Sequence, residues 1–198
     1  PSGIFVPPDS DIHTPEDLAG VPVTVGYQSG SHYSTIQGLE PFLKPEDINL
    51  HFGGLLMGRL DLLVDREVPA GNAFGAPLYI LEQLGFRKIL DTTFMIATMV
   101  PPNVEREDVV KYFEALKRAQ ADIDLRHDLY THYYLNELPE RYQDVADTRR
   151  FGPGERIVFE PYSKEIFDGT REWVIERDIF PEEKVGADGY DHAVATSA

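Results

Sequence analysis

The stretch Gly20–Glu40, GVPVTVGYQSGSHYSTIQGLE, decides how the rest of the chain is read. Val21–Val25 alternates β-branched residues, the mark of a short buried strand. It runs into Gly26-Tyr27-Gln28-Ser29-Gly30-Ser31, small and hydroxyl-bearing, after which Tyr33, Ile36, Leu39 and Leu43 recur at helical spacing. Pro41 should end that helix near Glu40. A strand that turns through glycine and serine into a helix leaves backbone N–H groups unpaired at the turn. Together with the positive end of the helix dipole, they suit a carboxylate, sulfonate or phosphate. Ser29 or Ser31 serving only as a helix cap explains the same residues equally well.

Upstream, residues 3–6 read as a strand, and Thr14-Pro15-Glu16-Asp17 is a helix start kept short by Gly20 and Pro22. Downstream, Ile48–Phe52 is a second strand ended by Gly53-Gly54, Arg59–Asp65 a short helix and Val68–Phe74 a third apolar segment. A helix from Pro77 to Leu84 and a strand over Arg87–Leu90 follow. Strands alternating with helices through short links predict parallel βαβ units. Thr92–Val100 is β-prone and closed by Pro101-Pro102. From there the pattern turns helical: Glu105–Leu125, Tyr130–Leu138 and Tyr162–Asp178, with a polar tail from Pro181.

The chain has 198 residues, 18 basic against 34 acidic, and a net charge of -16, a balance that repels nucleic acid and anionic lipid. An anionic ligand therefore needs a local pocket. With no cysteine, disulfides, thiolate metal sites and a cysteine nucleophile are excluded. No apolar run approaches the length of a membrane span and no signal peptide is read, so membrane insertion is not expected. The compartment stays open on composition.

Thr14-Pro15-Glu16-Asp17-Leu18-Ala19-Gly20 followed by VPVTVGYQSGSH resembles the opening of the second lobe in type II periplasmic binding proteins. The nearest branch is the one that binds taurine, alkanesulfonates, nitrate and thiamine precursors. The likeness continues through Gly53-Gly54, RLDLLVDREVPAGNAFGAPLYILEQLG and ILDTTFMIATMV, to about Asp124. The resemblance implies an α/β fold with one complete lobe over 14–92. Residues 1–13 and 93–180 would be the helical remainder of the first lobe, and 181–198 the tail. Two departures stand out. Pro69 replaces the acid that usually follows the third strand's valine, so a polar anchor is missing. The first lobe's opening strands should precede Gly3, yet the chain starts at Pro1 beside Ile4-Phe5-Val6. That start predicts an exposed apolar sheet edge which a second chain or a homodimer would cover.

Carried over by position, Ser29, Gly30 and Ser31 would hold the ligand's anionic head, with Tyr27 and Tyr33 as walls. Gly54, Arg59, Phe74 and Gly75 would mark two further cleft-facing turns. Each has a plain alternative: Phe74 as core, Arg59 neutralising acids such as Asp61, and Arg149, Arg150 and Arg156 forming surface ion pairs. His32 at the turn is expected neutral, as a donor to ligand or as an acid/base group. His127 and His132, five apart, lack the spacing of a helical zinc pair, and no metal or cofactor is implied. Two functions follow. One is a solute-binding protein capturing a small anion for an ABC-type uptake system, with a membrane component as partner and a periplasmic setting. The other is a cofactor-independent lyase, hydrolase or biosynthetic enzyme in the cytoplasm, using His32.

Overall fold

Ser2–Val6 (β1) is buried at all five positions, and the sheet is assembled around it. The computed structural model describes residues 1–101, 103–180, 185 and 189–193. In chain order it contains β1, β2 (Val23–Val25), α1 (Gly30–Leu39), β3 (Leu50–Phe52), α2 (Leu56–Val64), β4 (Ala70–Phe74), α3 (Gly75–Gln83) and β5 (Arg87–Asp91). There follow α4 (Arg106–Arg126), α5 (Glu140–Gln143), α6 (Lys164–Glu176) and α7 (Tyr190–Ala193). Short 3-10 turns link them, among them Pro15–Leu18, where the Asp17 carboxylate accepts from the His13 and Thr14 N–H groups, both at 2.9 Å.

The five strands lie in the order β3-β2-β4-β1-β5. β2 is parallel to β3 and β4, as the alternating pattern predicts, but β1 is antiparallel to both β4 and β5. The sheet is therefore mixed. The exposed edge expected at Ile4-Phe5-Val6 is not there, because β1 is hydrogen-bonded on both sides. Its alternation explains the placement: Phe5 enters the core cluster of Leu60, Leu63, Leu81 and Phe151, while Ile4 and Val6 enter that of Leu18, Val23, Leu39 and Ala70. A strand apolar on both faces belongs inside a sheet covered on both faces. The edges fall to β3 and to β5, whose Lys88 and Asp91 supply the charge that discourages edge pairing.

The chain divides into two units, residues 1–96 with 122–156, and 97–121 with 157–198. The first holds the whole sheet, so Ser2–Val6 belongs with the 14–92 lobe rather than with the remainder to which the sequence assigned it. Residues 92–100 form no strand. Within the second unit, Phe113 and Lys117 meet Phe159, Ser163 caps α6 at the Ile166 N–H (3.2 Å), and Phe167 packs on Tyr162 and Tyr190. The polar tail lies largely outside the described residues.

A buried polar knot ties α1 to the sheet. Asn72 on β4, fully buried, donates to Thr35 Oγ1 (3.1 Å) and Thr92 Oγ1 (2.8 Å) and accepts from Ser2 Oγ (3.3 Å). Asn72→Ala leaves the buried Thr35 hydroxyl without its partner, at about 1–3 kcal/mol for an unsatisfied group, while Thr92 and Ser2 keep each other at 3.0 Å. Chemical denaturation should show a loss of at least about 1 kcal/mol for this variant; a loss within about 0.5 kcal/mol, the size of an ordinary surface change, would refute the knot's role.

Candidate functional site

The carboxyl ends of the parallel strands β2 and β4 each feed a helix N-terminus, α1 and α3. Ligands of open α/β sheets gather at such strand ends. After Val25 the chain reverses at Gln28, whose φ of 53° is left-handed, and α1 starts at Gly30 with Ser29 in the cap position. The serines do not cap. Ser29 Oγ donates to the Gly26 carbonyl, and Ser31 Oγ lies 2.8 Å from Ser29 Oγ. Ser31 Oγ also accepts from the Gly26 N–H at 3.0 Å and from Arg59 Nη1 at 2.9 Å, so its own proton goes to Ser29. Among the described residues, no protein acceptor meets the N–H groups of Gly30 and Ser31.

Arg59 comes from the first turn of α2 and is only 3% exposed. Its stem passes against Gly53, where an added Cβ would stand 2.9 Å from Arg59 Cγ; at Gly54 a Cβ would meet nothing within 4 Å. Gly53 is therefore the glycine that admits the side chain, while Gly54 and Gly75 carry left-handed turns into α2 and α3. The Asp61 pairing also fails: Asp61 is engaged by Tyr142 Oη (2.6 Å) and Arg141 (3.2 Å), and Arg141 also holds Asp65 through both nitrogens. Arg59 has Ser31 and the Phe74 ring, 5.7 Å from its guanidinium carbon, and its buried Nε has no acceptor. Burial pushes its pKa down to about 10, which leaves it charged at pH 7.

The magnitudes show what is missing. Burying an ion costs several kcal/mol after relaxation. A hydrogen bond to a charged group returns about 1.5–3 kcal/mol and a cation–π contact about 0.5–2.

Gly30 needs no special backbone, since its φ is not left-handed. What requires glycine is Phe94: a Cβ on Gly30 would stand 2.5 Å from Phe94 Cζ. Phe94 also meets Phe74 edge to face at 6.1 Å. Sequence reasoning missed Phe94 because it took 92–100 for a strand, and missed Gly26, where an added Cβ would stand 3.1 Å from Ser29 Oγ.

His32 is stacked between Tyr27 (4.9 Å) and Tyr33 (4.8 Å), and Tyr27 meets Phe52 edge-on at 6.5 Å. The His32 Nδ1 accepts the Gln28 N–H at 3.1 Å, which puts the proton of the neutral ring on Nε2. Partial burial lowers its pKa below the usual 6.5. His32 is thus a donor, with no free lone pair for a base. Elsewhere in this unit, Arg149 pairs with Asp147 and Arg156 with Asp124, the surface ion pairs expected of that loop. A hollow of about 230 Å³ beside His127, Tyr130, Tyr134 and Glu137 holds no buried unpartnered polar atom.

No family model and no curated protein matches this chain. Solved structures do. The alkanesulfonate-binding protein SsuA of Xanthomonas axonopodis, bound to MOPS, superposes with a TM-score of 0.61 at 15% identity, covering 91% of this chain and 66% of its own. The fold is that of the type II periplasmic binding proteins. The Escherichia coli periplasmic aliphatic sulphonate binding protein SsuA gives 0.59 at 17% identity, over 91% of this chain and 62% of its own. A mutant of DSZB in complex with biphenyl-2-sulfinic acid gives 0.51 at 13%, over 94% and 73%. The chain thus spans slightly less than two thirds of the two SsuA proteins.

Two outcomes are expected. A histidine with a lowered native pKa stabilises the fold fully above its unfolded value near 6.5 and loses that contribution as pH falls towards the native value. Equilibrium unfolding should therefore lose stability as pH falls through about 6.5 more steeply in the native chain than in His32→Gln; parallel profiles would contradict the partial burial of the His32 ring. Gly30→Val should fold, with Phe94 swung aside, and lose anion affinity by at least about tenfold, or 1.4 kcal/mol, in calorimetry. Unchanged affinity would place the ligand elsewhere.

Proposed function

We propose that this chain is a solute-binding protein, or the ligand-binding part of one, that captures a small organic anion at the α1 turn for an ABC-type uptake system. The observation that carries this is the buried guanidinium of Arg59, which hydrogen-bonds Ser31, keeps Nε unpaired and meets no carboxylate among the described residues. Ser29, Gly30 and Ser31 frame the anion's seat, Phe74 backs the arginine, and Tyr27, His32 and Tyr33 form a ring-lined wall on the turn itself. The fold supports the reading, since the two SsuA proteins that share it are sulfonate-binding by name. Such a role belongs outside the cytoplasm, with a membrane permease as partner. The enzyme alternative fits less well, because the His32 lone pair is already engaged.

Arg59→Met separates a binding arginine from a structural one. Removing an uncompensated buried charge should stabilise the unliganded chain, by about 1–4 kcal/mol if the effect matches the replacement of buried ion pairs by apolar groups. It should also abolish binding of carboxylates and sulfonates in calorimetry. In the native chain a bound anion should raise stability by about 2.7 kcal/mol at a hundred times its Kd. A destabilised Arg59→Met that still binds anions would overturn the reading.

A further inference from the structure

We propose that the anion this site takes is aromatic, a carboxylate or sulfonate borne directly on a flat ring, with Phe74 and Phe94 setting that preference. The inference rests on the anion-binding reading above and goes beyond it by naming the ligand's tail. The surfaces next to the head-group seat are rings. Phe74 lies under the guanidinium at 5.7 Å, and Phe94 covers Gly30 at the start of α1. These two meet at an interplanar angle of 86°, and both are only partly buried. On the turn itself, Tyr27 is 62% exposed, and Phe52, which meets it edge-on, is 61% exposed.

An alkyl tail gains from such walls only by losing contact with water. An aromatic ring adds the quadrupole term of edge-to-face or offset stacking, a further two- to tenfold in affinity for each well-placed ring, by order of magnitude. The electrostatics agree. In a chain of net charge -16, the buried unpaired cation of this turn selects an anion, and a charge fixed to the ring leaves no flexible linker to immobilise on binding. Phe94 reaches this place from the segment just after β5, so the preference is set by a residue outside the serine turn.

The test is calorimetry on the 198-residue chain with matched pairs: benzoate against cyclohexanecarboxylate, and benzenesulfonate against hexanesulfonate. The expected result is at least about tenfold tighter binding of the aromatic member, reduced about threefold or more in Phe94→Leu and in Phe74→Leu while the alkyl anions are little affected. Circular dichroism checks that both variants fold, and Phe94, only partly buried, is the safer substitution. Equal or tighter binding of the alkyl members overturns the aromatic preference and leaves the anion site standing. A preference that survives in both phenylalanine variants overturns their role. If none of the four anions binds, the anion-binding reading fails and this inference with it.

Discussion

A guanidinium taken out of water without a carboxylate constrains everything around it. For Arg59 to sit 3% exposed, Gly53 must let its stem pass, and at Gly26 an added Cβ would crowd Ser29 Oγ at 3.1 Å. Ser31 must also turn its hydroxyl towards the arginine instead of capping α1. That last demand orders the turn. Ser31 accepts from Arg59 and Gly26, passes its proton to Ser29, and Ser29 passes its own to the Gly26 carbonyl. Both hydroxyls are spent in a closed relay, and the N–H groups of Gly30 and Ser31 stay free at the positive end of α1.

The Asn72 knot complements this from within the sheet. Ser2, Thr35 and Thr92 converge on one amide, so α1 is pinned to β4 and to the chain just after β5. Phe74 lies two residues further along β4, and Phe94 two residues beyond Thr92. Sites hold their geometry when their side chains ride on elements locked by satisfied hydrogen bonds. Fully paired, the knot fixes the sheet; Arg59, only partly paired, has donors to spare.

Much of this was legible in the sequence, and the exceptions have physical causes. The strand–turn–helix at Gly20–Glu40 was readable because period-two alternation gives way to helical spacing across glycines and serines. Arg59 was legible as a candidate but not in its role. A helical arginine two residues from Asp61 looks paired, and only packing shows that Arg141 and Tyr142 take that carboxylate instead. Phe94 was illegible because the β-prone run of 92–100 resembles a strand, yet the place beside β4 that such a strand could fill is taken by β1. The antiparallel insertion of β1 was invisible for a related reason: alternation reports burial on each face but not which neighbours a strand will have.

Placing β1 at the sheet's interior has a consequence for how the molecule is made. Ser2–Val6 pairs with residues 71–74 and 87–91, so its partners are about seventy to eighty-five residues away along the chain. At roughly 5–20 residues per second of synthesis, this five-residue apolar strand emerges several seconds, on the order of 4–17, before the last of the segments that will flank it. β2, β3 and β4, with their short crossovers through α1 and α2, can pair meanwhile. The slot between β4 and β5 then closes on β1 last, a non-local step of the kind that slows folding. This fully buried strand is thus held on both sides only once β4 and β5 have been made.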